Sequence, residues 1–168
     1  MLLKSFHHFP NYHTIDIYNF SLDKPLNNWS RGKAKKFSWR PESVSFETKS
    51  DCFLVSTNIY LEEVVKISSE AKRAILVPFY VNKDLKIGFS ELVFDENDTI
   101  ELCEGWYRLL FCDGWSGEGN INQDNSEWCD LKFIPSEKPM KSAVIYAHED
   151  YPKEDLPLVV ELEEDDPA

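Results

Sequence analysis

The sequence has 168 residues, of which 42% are hydrophobic and 14% aromatic, enough for one domain whose core needs no metal or disulfide. Its formal net charge of −12 at pH 7 disfavours nucleic acid and anionic membranes as partners, and indicates either solubility alone or a basic partner. The N-terminal residues MLLKSFHHFPNYH hold no continuous apolar run and predict no signal peptide. Since no segment reaches the ~20 apolar residues of a membrane span either, we expect a cytoplasmic protein.

Strand patterns dominate the first half of the chain. Alternating or β-branched apolar residues predict three strands, at residues 13–22, 43–48 and 52–61. Residues 61–73 are the best helix candidate, with an exposed strand or a loop as the alternative because the helical spacing is brief. RAILVPFYV (73–81) is apolar on both faces, as in a central strand, and Pro78 predicts a bulge there because proline lacks the ladder donor.

The stretch DTIELCEGWYRLLFCDG (98–114) consists of two apolar runs and follows a predicted turn at Asn82-Lys83-Asp84 and a strand at 85–94. It predicts a hairpin that reverses at Glu104-Gly105, with a positive φ at Gly105. The period of two predicts a buried face made of Ile100, Leu102, Tyr107, Leu109 and Phe111.

The remaining elements complete an all-β pattern. A Gly/Asn-rich loop at 113–126 precedes strands at 127–134 and 141–147, and LPLVVELEEDDPA holds a last strand and an acidic tail. We predict a single-domain antiparallel β-sandwich or barrel of about eight or nine strands over residues 1–162. Residues 163–168 are predicted to be disordered because so acidic a segment buries nothing.

The four cysteines have no C-x-x-C spacing, so we expect reduced core or strand residues rather than bridges: Cys52, Cys103, Cys112 and Cys129. Phosphate-binding and dinucleotide-binding glycine motifs are absent, as is the G-x-S-x-G nucleophile motif. His148-Glu149-Asp150 offers a base beside carboxylates, but in a polar segment near the end of the chain. His7, His8 and His13 lack a spacing that fixes a complete ligand set. The sequence therefore predicts no enzyme, no cofactor and no metal.

A ligand-binding module is the alternative that the residues leave open. Four carboxylates around the Gly-rich loop could hold calcium, although the D-x-[DN]-x-[DN]-G pattern is missing: Asp113, Glu118, Asp124 and Glu127. Tryptophans could stack on a sugar or anchor a protein interface. Trp106 is expected in the core, and Trp115 and Trp128 are expected to be half exposed beside the loop.

The charge distribution favours a basic partner. From Glu91 to Asp130 there are eleven acidic residues against the single basic residue Arg108, whereas Lys24 to Arg73 hold ten basic and six acidic ones. Such polarity speeds the encounter with a cationic protein, for example a nuclease whose groove attracts phosphates. The residues predicted to bind this partner are Asp95, Glu96, Asp98, Glu104, Asp113, Glu118 and Asp124, with Trp115 as an aromatic anchor.

A succession of segments resembles the competence protein J (ComJ) family over roughly residues 11–112. The segments are YHTIDIYNF, NNW with the basic stretch after it, SVSFET, RAILVPFYV, LKIGFSEL and TIELCEGWYRLLFC. The resemblance implies a non-catalytic protein that binds and inhibits a DNA-entry nuclease, similar to immunity proteins that neutralise toxins. The insertion at 113–139 and the acidic C-terminal extension depart from the family. They leave open whether the basic partner is the competence nuclease or another toxin domain.

Overall fold

The computed structural model describes residues 1–8, 14–22, 37–50, 54–89, 98–116, 126–140, 142–147 and 159–160. These residues contain twelve β-strands. In chain order they are β1 (Leu2–His8), β2 (Thr14–Asn19), β3 (Phe37–Arg40), β4 (Ser43–Glu47), β5 (Val55–Leu61), β6 (Arg73–Val81), β7 (Lys86–Phe89), β8 (Ile100–Glu101), β9 (Gly105–Trp115), β10 (Glu127–Ser136), β11 (Ser142–Ala147) and β12 (Val159–Val160). The predicted all-β class is confirmed. The predicted number of eight or nine strands is too low, since β1 and β3 were not anticipated.

The strands form two sheets. The large sheet has the order β1-β5-β10-β9-β6-β11-β12 and the small sheet has the order β3-β4-β2-β7-β8. Neighbouring strands are antiparallel, except that β10 runs parallel to β5. The predicted sandwich is thus confirmed with one parallel pair inside the large sheet.

The core lies between the two sheets, because apolar residues on the inward faces of both belong to one buried cluster. Phe46 of the small sheet stacks on Phe111 of the large sheet, with ring centroids 4.5 Å apart. Phe79 meets Phe133 edge to face at 5.8 Å. All five residues predicted for the buried face of 98–114 lie in this core: Ile100, Leu102, Tyr107, Leu109 and Phe111.

The predicted hairpin at 98–114 is wrong. β8 pairs with β7 in the small sheet, whereas β9 lies between β10 and β6 in the large sheet, so the chain crosses from one sheet to the other before Gly105. Gly105 has a φ of 141°, the positive value that was predicted. The turn at residues 83–84 is also confirmed. Hydrophobic period alone could not tell a hairpin from a crossing, because both bury the same residues.

The helix at 61–73 is wrong as well, and its alternative, a loop, is what residues 62–72 form. Residues 62–72 form an irregular segment that covers the outer face of the large sheet, where Val65 and Ala71 pack with apolar residues of β6, β9 and β10. The Lys132 ammonium donates to the Lys66 carbonyl oxygen at 2.8 Å and ties this segment down. Within the described residues, no helix is long and apolar enough to cross a membrane.

Pro78 lies in a central strand without the predicted bulge. It faces Arg108 of β9 in an unbroken register, and the irregularity of this region lies in β11 instead. On the other side of β6, the pairing with β11 extends only from Arg73 to Leu76. The turn between β3 and β4 takes over beyond that point: the Tyr80 amide donates to the Pro41 carbonyl at 2.7 Å. Proline is tolerated because no residue of β11 pairs with Pro78, so the amide hydrogen that proline lacks is not needed for that pairing.

Candidate functional site

Two of the predicted partner-binding residues are exposed, but they lie apart. Asp98, whose side chain is 72% exposed, forms a 3.4 Å ion pair with Lys4 of β1. Glu104 accepts a 2.9 Å hydrogen bond from the Tyr80 hydroxyl of β6. Since β1 and β6 are four strand spacings apart in the large sheet, the two carboxylates are separated by on the order of 20 Å. Asp98 and Glu104 therefore do not form one compact acidic patch, because the chain crosses between the sheets in the segment that joins them.

Asp113 and Trp115 are buried, which corrects the expectation that both face a partner. Asp113 is 0% and Trp115 is 4% exposed. They occupy the far end of β9, roughly 30 Å along the strand from Glu104. Trp115 lies beneath the Lys49 and Lys72 ammonium groups, 5.5 and 4.9 Å from its ring centroid. Trp128, by contrast, is half-buried, as predicted.

The other residues of the predicted surface lie outside the described residues: Asp95, Glu96, Glu118 and Asp124. The same holds for His13, the His148-Glu149-Asp150 group, Cys52 and the acidic tail at 163–168. Of the cysteines that the structure describes, Cys112 and Cys129 are buried and Cys103 is exposed, all three as free thiols. The expectation of reduced strand or core cysteines is met for the buried two.

A row of polar side chains crosses the inner face of the large sheet at the end where Asp113 lies. Arg73, Asp113 and Cys129 are direct cross-strand neighbours on β6, β9 and β10. Arg73 donates to both carboxylate oxygens of Asp113, through Nε at 3.1 Å and Nη2 at 2.7 Å. Its Nη2 also donates to the Glu47 carbonyl of the small sheet. This buried, bidentate pair links the two sheets.

Glu127 completes this group, which we call the buried polar cluster (Arg73, Asp113, Glu127 and Cys129). Its carboxyl oxygens accept hydrogen bonds from the Lys49 and Ser50 amides at 3.1 and 2.7 Å. Burial, and then the charge and hydrogen bond of Asp113, raise the pKa of Glu127 to about 9. At neutral pH Glu127 is therefore a protonated acid beside the Asp113 carboxylate.

Asp113 and Glu127 of this cluster were two of the four carboxylates considered for calcium. Ligand atoms of Asp113, Glu127 and Cys129 lie within 4.8 Å of one another. However, Arg73 already supplies a positive charge to both oxygens of Asp113, and Glu127 is held by two backbone amides. Asp113 and Glu127 are thus already engaged in hydrogen bonds within the protein. The cluster fits an internal ion pair that joins the sheets, rather than a site for a ligand.

A second feature lies on the outer surface. We call it the aromatic groove: a depression of about 420 Å³ lined by Leu22, Arg40, Pro41, Glu42, Tyr80 and Trp106. Tyr80 and Trp106 are cross-strand partners on β6 and β9, and their ring centroids are 5.2 Å apart at an interplanar angle of 60°. Both rings are half-buried. The expectation that Trp106 belongs to the core is therefore wrong.

The wall of the aromatic groove is fixed by hydrogen bonds from the small sheet. The Asn19 side-chain amide donates to the Tyr80 carbonyl at 2.7 Å and to Glu42 Oε1 at 3.4 Å. The Trp39 indole N–H donates to the Pro78 carbonyl at 2.5 Å. These bonds hold the turn between β3 and β4 against β6, where β11 leaves the strand unpaired.

The rim of the aromatic groove is acidic. The hydrogen bond to Glu104 raises the pKa of Tyr80, and burial and the negative charges of Glu104 and Glu42 add to the effect. Both carboxylates therefore act on the same hydroxyl group. The sequence signal for this site was the half-exposed end of RAILVPFYV together with the start of β9. It was missed because Trp106 and Tyr80 become neighbours only through the pairing of β6 with β9.

Residues 9–134 match the family described as Competence protein J (ComJ). A search of curated proteins finds no match. Among solved structures, the fold is similar to that of ComJ from Bacillus subtilis, described as an inhibitor of the DNA-degrading activity of NucA. The TM-score is 0.58 at 13% sequence identity, over 81% of this chain and 98% of the other, so this likeness concerns the fold.

Proposed function

Because the chain belongs to the competence protein J family, we propose that it is a non-catalytic protein that binds a nuclease and inhibits it. The family match over residues 9–134 is the observation that carries the proposal. The fold shared with an inhibitor of NucA agrees with it. Inhibition is steric and electrostatic: the protein covers the groove in which the nuclease binds DNA, and no covalent step takes place.

The net charge of −12 supports a basic partner. A nuclease must attract phosphates with lysine and arginine, so a strongly acidic protein is drawn to the same groove. Exposed carboxylates such as Asp98 and Glu104 contribute to this attraction, whereas the buried Asp113 and Glu127 do not. The predicted encounter takes place in the cytoplasm and involves neither nucleic acid nor a membrane as a direct ligand.

The identity of the nuclease is the finer part of the proposal. The family match ends at residue 134, and residues 147–168 add nine acidic residues against Lys153. A partner other than a competence nuclease, such as a nuclease toxin for which this chain is the immunity protein, fits this acidic extension.

The test is a titration of DNase and RNase activity. The nuclease or toxin encoded beside this gene, and separately NucA of Bacillus subtilis, are assayed with increasing amounts of the protein. We expect loss of activity at a fixed molar ratio and co-elution of the two chains on a sizing column. Full activity of both nucleases at a large excess, without a complex, would contradict inhibition. It would shift weight to a carbohydrate- or calcium-binding module.

A further inference from the structure

We propose that the aromatic groove is the docking surface for the nuclease, and that it receives a lysine or arginine side chain from a surface loop of that enzyme. This inference rests on the proposed function and adds the place and the chemistry of contact. It differs from the surface predicted from sequence, because only Glu104 belongs to both.

The composition of the aromatic groove is that of a protein-binding hot spot. Tryptophan, tyrosine and arginine are the residues whose truncation costs interfaces most, and Trp106, Tyr80 and Arg40 stand together here. A cation over the face of a tryptophan or tyrosine ring is attracted by the negative face of the ring, and more strongly as water leaves. A volume of about 420 Å³ suits side chains of a loop rather than a whole helix.

The charges around the rings favour a cationic side chain. Glu104 is held at the rim by the Tyr80 hydroxyl, and Glu42 lies on the wall within reach of the Asn19 amide. Among the described residues that line the groove or form its rim, Arg40 is basic and Glu42 and Glu104 are acidic, which is an excess of one negative charge beside the aromatic faces. The raised pKa of Tyr80 agrees with two carboxylates near its hydroxyl.

The site is built before the partner arrives. Tyr80 is held through its amide by Pro41 and through its carbonyl by Asn19, at 2.7 Å in each case. Because the backbone around the rings is already ordered, binding loses little conformational freedom, which favours affinity.

The first test compares inhibition by variants of the full chain. Trp106→Ala and Glu104→Gln are assayed against Glu101→Gln, which removes the same charge from an exposed residue of β8. We expect Trp106→Ala to weaken inhibition at least about tenfold and Glu104→Gln to weaken it measurably, with Glu101→Gln near wild type. If wild type inhibits and Trp106→Ala inhibits equally well, the groove is wrong while the proposed function stands. Trp106→Leu, which removes the aromatic face but keeps an apolar side chain, serves in place of Trp106→Ala if the latter does not fold.

The second test needs no nuclease, so it separates the two proposals. N-acetyl-arginine amide is titrated into the isotope-labelled protein while the indole N–H resonances are followed by NMR. We expect a saturable shift of the Trp106 indole signal, a weaker response in Glu104→Gln, and none with N-acetyl-glutamate amide. An unchanged Trp106 signal at saturating concentrations would overturn the cation site, whatever the nuclease assay shows.

Discussion

Asp113 was predicted to bind a partner because of its charge, but it forms a buried ion pair with Arg73. Their bidentate pair is fully enclosed, at 2% and 0% exposure, and Arg73 also reaches the small sheet through the Glu47 carbonyl. A buried ion pair adds little net stability compared with apolar residues, but its members depend on each other, since a lone buried charge is very unfavourable. Asp113 therefore contributes to the stability of the fold and not to a partner-binding surface.

We expect Asp113→Asn to destabilise the fold by about 3–5 kcal/mol, because it leaves the Arg73 guanidinium buried without its counter-charge. Urea unfolding measures this loss. Asp98→Asn is the matched control, since its ion pair with Lys4 is exposed, and we expect it to stay within about 0.5 kcal/mol of wild type. Equal stability of the two variants would contradict the role given to Asp113.

Glu127 makes stability depend on pH. Its pKa rises from 4.5 to about 9 on folding, so above pH 4.5 the unfolded chain releases a proton that the folded chain keeps. The contribution of Glu127 to stability is complete below that pH. It is lost as pH rises toward 9, by at most about 1.4 kcal/mol per pH unit.

Glu127→Gln keeps the shape of the protonated acid without the titration. We expect the variant to have a flatter stability profile than wild type between pH 5.5 and pH 8.5 and to gain on it as pH rises. Urea unfolding at several pH values measures the difference, with Glu137→Gln, an exposed acid that follows β10 directly, as the control. Parallel profiles for Glu127→Gln and wild type would refute a protonated Glu127.

At the scale of elements, β9 and β10 pair a very small residue with a very large one. Gly114 faces Trp128 across the two strands, and a Cβ atom at Gly114 would lie 2.7 Å from the Trp128 ring. The half-buried Trp128 ring therefore occupies the space beside Gly114 that a side chain would otherwise fill. A larger residue at either position requires the strands or the ring to move.

We expect Gly114→Ala to cost about 1–3 kcal/mol through this clash. Gly114→Ala should cost less in a Trp128→Leu background than in the wild type, because the ring with which the new methyl group clashes is gone. A double-mutant cycle on thermal or urea unfolding measures the coupling. Additive losses would show that the two residues do not meet.

The success of sequence-based prediction also differs between elements. β6 was predicted at its observed bounds, Arg73–Val81, because an apolar run of that length has few alternatives. For the segment after β5 the sequence left a helix, a strand and a loop open, since its apolar residues pack on an outer sheet face that only the tertiary fold creates. The aromatic groove eluded prediction for the same reason. Its lining comes from strands far apart in the chain.

At the scale of the whole molecule, the net charge of −12 acts over distance rather than through single contacts. We expect association with a basic nuclease to slow by roughly tenfold or more as ionic strength rises from about 0.01 to 1 M, because the screening length falls from about 30 to 3 Å. Stopped-flow mixing measures the rate. The dissociation rate should change less, and an association rate independent of salt would contradict electrostatic steering.

The position of β10 between β5 and β9 has a consequence for synthesis on the ribosome. Residue 127 follows residue 61 by 66 positions, so at about 5–20 residues per second it is added roughly 3–13 s after β5 is complete. Until then, β5 lacks its neighbour on that side, and from residue 115 onward the facing edge of β9 is unsatisfied as well. Such edges attract other strands, so we expect nascent chains to be prone to aggregation until β10 has emerged. Inhibition of a nuclease would accordingly begin only after β10 has been synthesised.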